Sequence, residues 1–190
     1  MANQDSAFGL RPIGKVGQNR DNQGLSEYSI DASSTAIYFQ DPVKALANGY
    51  IAVAAAGDEA LLGSLNGIFY TAATTNKPTW ANNLAGSNAA TDIVGFVSDD
   101  PYERFEVQTD NSGASQQTDV FMNYDILYAA GDSANYVSKV ELDDSTLHST
   151  TGQLKVLGVS KEIKNNDLAS ANTNFVVTIN EHFIKQVAGI

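Results

Sequence analysis

The sequence predicts an all-β domain, a sandwich or barrel of about 8–11 short antiparallel strands behind an extended N-terminal arm. Three observations carry this. Apolar and polar residues alternate with period 2 in several segments, Asn-Gly pairs punctuate apolar runs, and no segment has a sustained amphipathic helical period.

Along the chain, residues 1–24 come first, rich in Gly, Asn and Gln and without helical or strand periodicity. They read as an arm or a frayed terminus ahead of a single β domain over 25–190. In the arm, Phe8, Leu10 and Ile13 are interleaved with Gly9, Arg11, Pro12 and Gly14, a pattern suited to lying extended along a partner. Asn48-Gly49 and Asn66-Gly67 each supply two residues tolerant of positive φ, so both predict hairpin turns. A single helical turn is expected around Gly57–Leu62. From Thr71 to Asp92 the chain runs through small and polar residues with one large side chain, Trp80, the only Trp present. A structureless loop longer than about 12–15 residues is usually functional or disordered. Trp80 therefore reads either as an interface anchor or as a lid folded over one end of the core, with the lid slightly ahead. Phe105 and Val107 alternate with Arg104, Glu106 and Gln108, and Tyr136, Val140 and Leu142 with Lys139 and Glu141. Phe175, Val177, Ile179 and Phe183 share one parity, against Thr178, Asn180 and His182. Each set should face a core on one side and water on the other. Turns are expected at Asn111-Ser112-Gly113, Gly131-Asp132 and Thr151-Gly152.

Composition narrows the function classes. The 190 residues hold 11 Lys+Arg against 22 Asp+Glu, a formal charge of −11, with 2 His and no Cys. Without cysteine there is no disulfide, thiolate metal site or cysteine nucleophile. The longest strongly apolar run, Tyr50 to Ala56, is 7 residues, short of the roughly 20 needed by a membrane helix. The first residues are neither basic nor apolar, so no signal peptide is expected, and the acidic balance argues against nucleic acid. The charge is uneven. Residues 1–24 carry Arg11, Lys15 and Arg20 against Asp5 and Asp21, whereas residues 25–138 carry 3 basic and 14 acidic groups.

No nucleophile elbow, phosphate loop, dinucleotide fingerprint or H-E-x-x-H is present. His148 and His182 are far apart, and no metal or other cofactor is expected from them. Asp99, Asp100 and Glu103, with Glu106 and the separate Asp143-Asp144 pair, are the acids from which a glycosidase pair could be drawn. Asp99-Asp100-Pro101 also reads as a strand terminator before a turn, and a solvated acidic surface accounts for all of these groups.

A resemblance adds to this reading. Ala7-Phe8-Gly9-Leu10-Arg11-Pro12-Ile13, Gly24 to Tyr28, Asp41-Pro42-Val43-Lys44, Gly67-Ile68-Phe69-Tyr70 and Lys77-Pro78-Thr79-Trp80 open the series. Asp99-Asp100-Pro101 with Phe105-Glu106-Val107-Gln108, Leu154-Lys155-Val156-Leu157-Gly158 and Ile179-Asn180-Glu181-His182 complete it. In order and over nearly the whole chain, these resemble a family of virion structural proteins of tailed phages, many of them marine. None of the motifs is catalytic. The resemblance implies a capsid decoration (cement) protein on the head exterior, made in the host cytoplasm and bound to the major capsid protein. A homotrimer is the form suited to three-fold lattice positions. The expected contacts are Phe8, Leu10, Arg11, Ile13, Lys15 and Arg20 of the arm, together with Trp80. Two rivals stay open: a tail, neck or host-receptor-binding component using the Thr71–Asp92 loop, and a small polysaccharide-degrading β-domain using Asp99, Asp100 or Glu103.

Overall fold

The computed structural model describes residues 2–17, 24–57, 60–148 and 150–186. The architecture is all-β. In chain order the strands are β1 (Arg11–Lys15), β2 (Ser26–Ser29), β3 (Pro42–Ala45), β4 (Ile51–Val53), β5 (Gly63–Ala72), β6 (Lys77–Ala81) and β7 (Val94–Ser98). They continue with β8 (Glu103–Gln108), β9 (Asn123–Tyr124), β10 (Ile126–Leu127), β11 (Glu141–Leu142), β12 (Leu154–Val159) and β13 (Asn174–Ile179). One antiparallel sheet runs β1-β8-β13-β12-β9. A second runs β2-β7-β5-β3-β4, with β6 paired to the far half of β5, and β10-β11 form a small ribbon. The sheets pack together as a β-sandwich.

Alternation builds the core as expected in β8 and β13: Phe105, Val107, Phe175, Val177 and Ile179 are all buried. They join Leu10, Tyr124, Ile126, Leu142, Leu154 and Val156 in one apolar cluster. Ile30, Ile37, Val43, Ile51, Leu65, Ile68, Leu84 and Val97 form a second under the other sheet. Leu61 and Leu62, adjacent in sequence, enter different clusters, so the entry to β5 ties the two together. The corner from β7 to β8 crosses between sheets at Asp99–Tyr102. There Asp100 caps the turn by accepting from the Tyr102 N–H at 2.8 Å, as a strand terminator should.

Several local expectations are corrected. Asn48-Gly49 does turn the β3–β4 hairpin, with Gly49 at φ 84°. Asn66-Gly67 does not turn; it lies inside β5 at a bulge opposite β7. Gly67 is needed there for space: a Cβ on it would lie 2.7 Å from the Trp80 ring. Thr71–Asp92 is not a bare loop. β5 and β6 pair from Ile68↔Ala81 to Ala72↔Lys77, around a tight turn closed by Asn76 at φ 52°. Backbone pairing does not require apolar side chains on an exposed ribbon, so the polar composition hid it; Pro78 is tolerated because β6 is an edge strand. Tyr136 sits at φ 59°, exposed, and only Glu141–Leu142 of its segment pairs as a strand. Leu61 bridges to His182 and Leu62 leads into β5, so no helical turn forms at the described residues of 57–62.

At its described residues, 2–17, the N-terminal segment lies along the chain's own body instead of standing free for a partner. Residues 11–15 form β1, edge strand of the first sheet, in register with β8. Leu10 is fully buried in the chain's own core. Further upstream, Asn3 donates to the Asp167 and Ala171 carbonyls at 2.9 and 3.0 Å. The Ser6 N–H donates to Gln108 at 2.7 Å, and Gln108 in turn donates to the Gln4 carbonyl at 3.0 Å. This cover is why Glu106 and Gln108, the polar alternates of β8, are buried instead of facing water.

Candidate functional site

Two of the leader's positive charges, Arg11 and Lys15, are answered within the chain. Arg11 binds Glu106 and, at 3.1 Å, Glu162, while its guanidinium lies 4.5 Å from the Phe8 ring centroid. Lys15 pairs with Asp100 at 2.8 Å. The charge asymmetry between leader and body is thus used intramolecularly. Of the arm's expected contact residues, Ile13 stands out into solvent, Leu10 is unreachable, and Phe8 lies beneath Arg11. Arg20 lies outside the described residues.

Asp99, Asp100 and Glu103, three of the acids from which a glycosidase pair could be drawn, hold the fold's joints. Asp99 accepts from the Tyr28 hydroxyl at 2.5 Å and Ser26 at 2.9 Å, pinning β2, and burial together with that carboxylate pushes the Tyr28 phenol up to about 12. Asp100 is engaged by Lys15. Glu103 accepts from the Gly14 N–H at 3.2 Å, and burial raises its pKa. His148 lies 3.3 Å from Asp125, and His182 is buried with Nδ1 accepting from the Ile184 N–H at 3.1 Å. Desolvation holds His182 down at about 4, so it is neutral at ordinary pH. No group of three or more His, Asp or Glu converges as a metal-ligand set among the described residues. No helix there is long and apolar enough to cross a membrane.

Trp80 is where the structure assembles something. It sits on the outward face of β6 instead of over an end of the core, 58% exposed. Its underside rests on Gly67, and its ring centroid is 4.6 Å from that of Phe96, tilted by 49°. Phe69, its register partner on β5, is also exposed, and Val94 on β7 pairs with Phe69. Glu27, the register partner of Phe96 on β2, is exposed beside them. Trp80 was legible from sequence as an anchor candidate; Phe69, Phe96, Gly67 and Glu27 were not. The usable signal was the short polar stretch Thr74-Thr75-Asn76 between two β-forming runs, which marks a hairpin and would have set Phe69 opposite Trp80.

With this geometry in view, the chain is an antiparallel β-sandwich protein with an outward aromatic face. It matches no family model, no curated protein and no solved structure.

Proposed function

We propose that this chain is a non-enzymatic structural protein of a tailed-phage virion. In this reading it is a decoration (cement) protein that seats on the outside of the head as a homotrimer and stabilises contacts between capsomers. The observation that carries the reading is the ordered series of motifs, from Ala7 to His182, resembling phage virion structural proteins. Two features support it. The motif acids Asp99, Asp100 and Glu103 are spent on holding β1 and β2 in place, as befits structural motifs. The strong negative charge favours solubility at high copy number.

The test is the copy number of this protein in purified virions, by quantitative mass spectrometry against the major capsid protein. Near parity with the shell subunit is the expected result. A handful of copies would overturn the decoration role in favour of the neck or tail, and absence from virions would overturn the virion role itself.

A further inference from the structure

An exposed apolar patch, as distinct from apolar side chains scattered singly, marks an interaction site. The face made by Trp80, Phe69, Phe96 and Val94 is such a patch, set on three paired strands and so rigid before any partner arrives. Trp80 is preorganised: Gly67 lets the indole lie close against β5, and Phe96 braces it from the side. The opposite indole face is open to solvent. Glu27 stands across from Phe96, and its carboxylate makes no hydrogen bond or ion pair among the described residues. Asp92 adds a second exposed carboxylate at the hairpin end, accepting from the Thr71 N–H at 3.0 Å. The nearest cation on the hairpin, Lys77, lies three residues along β6 from Trp80, about 10 Å away.

An open indole face attracts a cation through the ring quadrupole, and the free Glu27 carboxylate, beyond Phe96 on the same face, offers a second anchor to a basic segment. We infer that the outward face of β6, β5 and β7, with Glu27 of β2 at its rim, docks a basic segment of another polypeptide, with one Arg or Lys of that partner over Trp80 and another paired to Glu27. The inference deepens the decoration reading and rests on it for the partner, the outer surface of the shell. A second copy fits less well because each copy carries −11. A flat saccharide fits less well because Trp80 and Phe96 meet at 49° as a notch, not a shelf.

Because Trp80 is the only Trp, its fluorescence reports on this face alone. The full chain is titrated with a short arginine-rich peptide, a glutamate-rich peptide of equal length, and maltohexaose. The arginine peptide should change the emission saturably, and added salt should weaken it. Glu27→Gln, with unfolding temperature measured as a control, should weaken it by about two- to fivefold. No response to the arginine peptide, an equal response to the glutamate peptide, or a response to the saccharide in its place overturns the inference. A second arm measures sedimentation of wild type, Trp80→Ala and Glu27→Gln with shells stripped of the protein. Shell binding by wild type that both variants retain in full sinks the docking face and leaves the decoration role standing. Failure of wild type to bind, with the peptide response intact, sinks the decoration role and leaves the docking face.

Discussion

At the scale of single residues, the tightest constraints are glycines packed against other strands. A Cβ on Gly63 would lie 2.2 Å from the Ser98 carbonyl oxygen, backbone that cannot rotate away. On Gly67 it would meet the rim of the exposed Trp80 ring, which can swing outward. Gly63→Ala should therefore destabilise the protein by at least about 1–3 kcal/mol in a denaturant titration. Gly67→Ala should cost far less and instead alter the Trp80 emission. Equal stability losses at the two positions would contradict this account of β5.

At the scale of elements, the N-terminal segment includes an integral strand, so an arm that detaches freely is ruled out by its burial. Leu10→Ala empties a fully buried position and should cost about 2–5 kcal/mol, read from the shift of the denaturation midpoint. Removing residues 1–24 would strip β1 from β8, uncover Glu106 and Gln108, and open the core at Leu10. Such a truncation should be insoluble or unfold well below the full chain. A truncated protein with an unchanged melting temperature would show that these contacts contribute nothing. Loss of partner binding on truncation is consequently uninformative, and point changes on the Trp80 face are the cleaner probe. Element boundaries were legible where alternation coincided with burial, as in β8 and β13. They were hidden in β5–β6, where backbone hydrogen bonds hold a polar ribbon together, and in β1, whose short, Pro- and Gly-broken run pairs only because β8 offers a free edge.

At the scale of the whole molecule, charge sets the pH response. Desolvation raises Glu141 to about 7, helped by Asp5 and Asp110, and raises Asp144 to about 6, helped by Asp119 and Asp110. Burial alone raises Asp41 to about 6. A carboxylate whose folded pKa lies above its unfolded value binds protons more tightly when folded. Its contribution is complete below the unfolded value near 4 and is lost as pH rises through 6 to 7. His182 runs the other way. With its pKa at about 4 against an ordinary 6.5, folding disfavours its protonation, and stability is lost as pH falls from 6.5 toward 4. Three carboxylates outweigh one histidine between pH 7 and 5, so the melting temperature should rise from pH 8 to pH 5.5. Glu141→Gln should flatten that rise. A melting temperature that instead falls monotonically over this range would mean these carboxylates are not desolvated as described.

The sequence by itself determined the all-β class, because period-2 alternation and turn-forming pairs are local properties that survive without tertiary context. It also determined the excess of acid over base and the prominence of a lone Trp. Only the tertiary structure decided that Arg11 and Lys15 serve the chain's own Glu106, Glu162 and Asp100, and that Asp99 and Glu103 are joints. Only it joined Trp80, Phe69, Phe96 and Glu27 into one face. Those groupings depend on which strands become neighbours and in what register, and register follows from burying both clusters at once.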